Sequence, residues 1–460
     1  MIEELRQLIY WTLTLGVVCT LISRALIGRW FTPATWYWGA WVGCLFSYDH
    51  VLQLDLLPEP EVLTISVLND AHEGAFWGFV VMSILSRLLL MSGPRGARSS
   101  PLVRLDFIDL KKIDQLMWLY FLVAAALLVY RIATVGKVDL AFLQAARESF
   151  IGKDKTAIKP LLFMVPVSIP LAIIISSRFC SGTTKIYRPL ILLVICFITA
   201  MADASRMKIL QVLALASITI STSLDEEHGL RFKTLFSRYW LGALMGSVSL
   251  IVLLQTIQVI RSTGSLDLLL EDPLLVLLPT GLMAYLAQGT SAMAVFYEAA
   301  NGPIIGGDLT FAFPMKYGAI FGLNDAPVTK AEVFGHVLRV LDDPRVQRGG
   351  ISGIGVLLTD FGPDNVWLAS FCFAGTLQFL FVACINRGFI GRTLAICCCM
   401  GALFSVLHLW FLSAAMIIGV VWAFLVARWL NIPLWEPDLR RSERSIGANH
   451  GSRLPIPPNS

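Results

Sequence analysis

Apolar residues along this chain come in long blocks, and most charged positions fall in the breaks between them. The blocks fall at 7–23, 33–57, 64–91, 113–131, 160–177, 189–203, 206–222, 239–260, 366–386, 393–410 and 411–428. A transmembrane helix needs roughly 20 predominantly apolar residues, so the blocks predict an all-α, polytopic transmembrane bundle of about 11 spans. Composition agrees. Of 460 residues, 56% are apolar and 15% charged, and the mean hydropathy is +0.71. Soluble domains carry about 25% charged residues. This deficit excludes a soluble enzyme, a disordered regulator and a nucleic-acid partner.

Orientation follows from the basic residues, which concentrate in cytoplasmic loops. Arg24 and Arg29 follow the first block, Arg95, Arg98, Arg104, Lys111 and Lys112 the third, and Arg178, Lys185 and Arg188 the fifth. Arg231, Lys233 and Arg238 follow the seventh, Arg387 and Arg392 the ninth, and four arginines mark the tail. Every second loop is therefore basic, and the net charge of +4 comes from these loops. The N-terminal MIEELRQ is no basic leader and no small-residue cleavage site follows, so the first span is expected to be retained.

Residues 273–300 are also apolar enough to cross, but a crossing there would carry the arginine-rich tail outside. Pro279, Gly281, Gln288 and Gly289 weaken a continuous span as well. The segment reads as a broken, re-entrant or interfacial helix on the outer side. The expected organisation is a membrane bundle over 1–261, a large extracytoplasmic loop over 262–365 between spans eight and nine, C-terminal spans over 366–428, and a disordered cytoplasmic tail over 429–460. The nine cysteines lie mostly inside apolar blocks and read as small buried residues.

Chemistry is sought where polar groups meet the membrane, because they are costly there. Asp203 and Arg206 interrupt the hairpin ICFITAMADASRMKIL at its outer edge. They read as a hairpin cap with a local ion pair, or as an arginine offered to an anionic headgroup, where guanidinium matches phosphate in two-pronged fashion. Arg261 closes span eight on the outside, Arg131 closes span four in the same way, and Arg147 lies in the following outer loop. Four outward arginines suggest a phosphate or pyrophosphate pocket, with snorkelling to lipid phosphate as the alternative. Asp49 and His50 in span two could line a cavity or sit near the outer interface.

The large outer loop adds Tyr285, Glu298, His336, Arg348 and Asp360 among other aromatic and charged residues. Such a mixture suits a sugar polyol, and any single member could equally be a solvated loop charge. His336 could act as a base near neutral pH, but no ligand partners accompany it and no metal site is expected. Asp360-Phe361-Gly362 lacks the other kinase signatures. The glycines at 349–355 lack dinucleotide spacing.

Several segments, taken in order, resemble the oligosaccharide repeat-unit polymerases (Wzy-type O-antigen polymerases). WFTPATWYWGAW resembles that family's proline-then-tryptophan start of an early span. ADASRMKIL is similar to its small-residue–arginine hairpin, with Arg206 at the arginine, and VIRSTG to the arginine after the following span, here Arg261. GGDLTFAFP, with Gly306, Gly307, Thr310, Phe311 and Pro314, is similar to a GG-x-TF-x-P sequence of the outer loop, with one further residue before the threonine. GIGVLLTDFG resembles the DFG-containing approach to a span, with Asp360 in the matching place.

The resemblance implies a GT-C-like membrane glycosyltransferase joining undecaprenyl-diphosphate-linked oligosaccharides on the outer face of a bacterial inner membrane. Arg206 and Arg261 would come first in stabilising the departing diphosphate, with Arg131 and Arg147 second. Asp360, Glu298 or His336 would be the base, and Asp203, Tyr285, Gly307, Thr310 and Arg348 substrate contacts. Membrane lipids, a chain-length regulator and a flippase would be partners, and no cofactor is needed. An O-antigen ligase is the nearer alternative. A transporter or flippase is the more distant one, although its usual paired repeats are missing.

Overall fold

The computed structural model describes residues 2–54, 57, 60–90, 109–136, 159–181, 183–202, 207–226, 252, 256, 280–299, 309–320, 322, 323, 351–432 and 434. Among them every regular element is helical. The helices are α1 (Ile2–Ile27), α2 (Pro33–Gln53), α3 (Val62–Leu90), α4 (Leu110–Val135), α5 (Lys159–Met164), α6 (Ser168–Cys180) and α7 (Tyr187–Ala202). They continue with α8 (Met207–Glu226), α9 (Thr280–Ala299), α10 (Ala312–Ile320), α11 (Gly353–Phe361), α12 (Val366–Cys384), α13 (Gly388–Leu403) and α14 (Ala414–Leu430). Each expected span except 239–260 overlaps these helices, although 160–177 is divided between α5 and α6 and 393–410 runs past the end of α13 at Leu403; of 239–260 only Val252 and Thr256 lie within the described residues. Five helical stretches are long and apolar enough to cross a membrane: Ile2–Ile27, Leu110–Val135, Leu161–Cys180, Pro363–Cys384 and Gly388–Val406. The architecture is that of an all-helical protein, consistent with a membrane-embedded one.

Local chemistry explains where helices begin and end. Pro33 opens α2 at a position where its missing N–H costs nothing. Asp109 caps α4 by accepting from the Lys111 amide, and Gly136 closes that helix in the left-handed region at φ +69°. Ser413 caps α14 at the Met416 amide. The apolar blocks specify long helices, and these proline, glycine and polar capping residues specify their limits.

Two groups of helices pack side by side. In one, α1, α2, α3 and α12 surround each other, with α9, α11 and α13 against α2 and α12. In the other, α4 and α7 pair, α8 lies on α6 and α7, and α14 on α6. Contacts of α13 with α8 and α14 join them. The closest approach is between α3 and α12. A Cβ on Gly74 would stand 2.1 Å from the Trp367 carbonyl oxygen, and one on Gly78 2.4 Å from that of Phe371. Glycines four apart let two backbones touch, which is how membrane helices gain dispersion energy that lipid does not supply. The core beside this seam is aromatic. His72 is wholly buried, meets the Thr12 hydroxyl at 3.1 Å, and lies edge-on to Tyr37, Trp38 and Trp41.

Basic residues expected on one side of the membrane meet at one end of the bundle. Arg29 donates to Asn386 at 3.2 Å, Arg87 to the Leu26 carbonyl, and Lys112 to that of Trp429. Arg392 donates to Ser223 at 2.9 Å. Arg188 grips both oxygens of Asp114 at 2.8 and 2.9 Å, the two-pronged geometry that arginine favours. At the opposite end Asp49 of α2 accepts from Arg6 of α1 and from Gln53 of its own helix.

Candidate functional site

The site lies at the end of the bundle opposite those basic contacts, and α11 builds it. This helix is only nine residues long, and every residue from Gly353 to Asp360 is buried. Its start is set by Ser352, whose hydroxyl accepts from the Gly355 amide at 3.1 Å and whose own amide donates to the Gly289 carbonyl at 3.0 Å. That contact also explains α9. Gly281 and Gly289 do not interrupt it; α9 is continuous over its 20 residues. Gly289 instead admits a close neighbour, because a Cβ there would lie 3.0 Å from the Ser352 nitrogen and 3.2 Å from the Val406 oxygen. Gly362, at φ +78°, ends α11 in a conformation that glycine adopts without strain, and the chain turns into α12.

Asp360, in the last turn of α11, is 2% exposed. Its Oδ1 accepts from the Leu309 amide at 3.1 Å. Its Oδ2 accepts from the Thr310 amide at 2.7 Å and from the Thr310 hydroxyl at 2.6 Å. Hydrogen bonds to a carboxylate are short and strong, and burial makes leaving one unmade costly. Two segments some fifty positions apart in the chain are thereby joined: the turn leading into α10 and the end of α11.

Beside this junction runs an apolar groove of about 360 Å³. It is lined by Asn365, by Leu368, Cys372 and Thr376 of α12, by Leu357 and Phe361 of α11, by Leu409 of the 407–412 segment, and by Thr310 and Phe311. Leu368 to Thr376 spans about 12 Å along the axis of α12. The groove thus has the length and lining to take a hydrocarbon chain. No triad of metal-ligating side chains occurs among the described residues.

The other expected site residues divide clearly. Arg131 is buried at the far end of α4 from Lys111 and Lys112, on the end where Ala202 closes α7. Tyr285 and Glu298 lie on α9, with side chains outside the described residues. Arg147, Asp203, Arg206, Arg261, Gly307, His336 and Arg348 lie outside the described residues altogether. The structure therefore brings Thr310 and Asp360 into contact and gives Arg131 a buried place at the same end. Sequence reasoning missed the groove and the all-round burial of α11. The continuous apolar run GIGVLL was the available signal, but apolar periodicity does not tell a short buried helix from the approach to a span.

No family model, no curated protein and no solved structure matches this chain.

Proposed function

We propose that this protein is a membrane glycosyltransferase that polymerises undecaprenyl-diphosphate-linked oligosaccharide repeat units into a surface polysaccharide, on the outer face of a bacterial inner membrane. The observation that carries the reading is the Thr310–Asp360 contact. It unites the two segments, GGDLTFAFP and TDFG, that resemble the polymerases most in the large loop. The contact lies beside an apolar groove and opposite the basic end of the bundle, where an outer-face site for a lipid-linked substrate belongs.

In the reaction, the anomeric carbon of the growing chain loses its bond to the diphosphate oxygen and gains one to an acceptor hydroxyl oxygen. The hydroxyl proton passes to a base, and the diphosphate leaves with the bonding electron pair. Arg206 and Arg261 stabilise that departing charge, with Arg131 and Arg147 in support, as preorganised donors do. The energy comes from the diphosphate bond, so neither nucleotide nor divalent metal is required.

Deleting the gene tests this directly. Cells should display a single repeat unit in place of a polymer. Arg206→Lys and Arg261→Lys should each insert normally yet lower polymer formation by about 10²–10³-fold, because an ammonium cannot reproduce the planar two-pronged contact. Unchanged polymer length and yield in both would sink the proposed arginine site. Polymer of normal length in the deletion strain would sink the function.

A further inference from the structure

The junction beside the groove divides the work of this site in a way that the resemblance leaves open. A general base must come within about 2.6–3.2 Å of the proton it takes. Asp360 instead directs both oxygens at the backbone and hydroxyl of one turn, from within a helix buried on every side. That turn carries α10, a peripheral helix whose Pro314 and Lys316 are exposed. Its next residue, Phe311, lines the groove together with Leu357 and Phe361.

We propose that Asp360 is a positioning residue. Its carboxylate latches the turn 309–311 onto α11 and so sets the Phe311 wall of the groove, and proton transfer belongs to another group. The effect on activity rests on the polymerase reading; the latch itself does not.

Amide hydrogen exchange on the full chain in lipid nanodiscs reads the latch without any assay of activity. The Leu309 and Thr310 amides should be protected in the wild type. Asp360→Ala should speed their exchange by about 10–100-fold, the range that bonds to a charged group imply, with α12 protection unchanged. Thr310→Val should speed it less, and Thr310→Ser should restore it. Polymer yield should fall and recover with the same pair. Should Asp360→Ala fail to fold, the valine and serine variants decide alone. Unprotected wild-type amides, or exchange indifferent to these variants, would overturn the latch. Loosened exchange with wild-type yield would overturn the positioning role. So would loss of polymer in Asp360→Asn with the turn still protected and Thr310→Val active, which is the pattern of a base. If even the wild type makes no polymer, the polymerase reading fails and the exchange data still decide the latch.

Discussion

The α3–α12 seam and the short helix α11 face the same problem, since lipid tails do not press apolar helices together as water does. Both bring glycines close to a neighbour, since a Cβ on Gly353 of α11 would stand 2.9 Å from the Ser405 carbonyl oxygen, but they differ in what is added. The seam removes side chains: Gly74 and Gly78 bring α3 onto the carbonyls of Trp367 and Phe371, and contact between backbones supplies the attraction. At α11 the added ties are directed hydrogen bonds, from the Ser352 amide to the Gly289 carbonyl and from the Gly355 amide to the Ser352 hydroxyl at one end, and from the 309–310 turn to Asp360 at the other. Backbone pressed on backbone has one arrangement. A set of hydrogen bonds fixes which groups face each other, so the register of α11 is set by particular donors and acceptors.

The most forceful way to break this comparison is to add a single methyl group to the seam. Gly74→Ala or Gly78→Ala would drive a Cβ into a carbonyl that cannot retreat, and the cost should be about 3 kcal/mol or more, the upper end for overpacking. Thermal unfolding of the purified protein, followed by tryptophan fluorescence, should show a clear drop; wild-type melting would mean the backbones do not touch. Next comes Trp41→Phe, which deletes the buried bond from the indole nitrogen to the Ser405 hydroxyl. A cost of about 1–3 kcal/mol is expected in the same assay. Ser352→Ala removes the cap of α11 and should cost about 1 kcal/mol, with faster exchange of the Gly355 amide as its local mark. Exchange unchanged there would remove one of the two ties assigned to α11. Smallest is Gly43→Ala, on α2, where nothing lies within 4 Å. No loss of stability should follow, and a gain of up to about 1 kcal/mol from helix propensity is expected. A loss comparable to that at Gly74 would show that small residues matter here for a reason other than close approach.

Much of this architecture was legible from the order of residues. Long apolar blocks placed α1 to α4, α7, α8, α12 and α14 within about one turn, because hydrocarbon length sets helix length, whereas the block at 393–410 begins and ends later than α13. The alternation of basic loops foretold that Arg29, Lys112, Arg188 and Arg392 would share one end of the bundle. Thr310 and Asp360 were both legible as candidates, each from its own motif. The continuity of α9 was not legible. Gly289 has the same identity whether it breaks a helix or admits a neighbour, and only the presence of Ser352 and Val406 against it distinguishes the two.

By itself, then, the sequence determined that this chain folds as apolar helices with their basic ends together, since hydropathy and charge act position by position against a surrounding solvent. The tertiary structure alone decided which helix meets which, that Gly74 and Gly78 face α12, and that the carboxylate of Asp360 is spent on a turn fifty residues away. Those are facts about pairs of surfaces. A pairing energy depends on the distance between two groups, and no single stretch of sequence contains that distance.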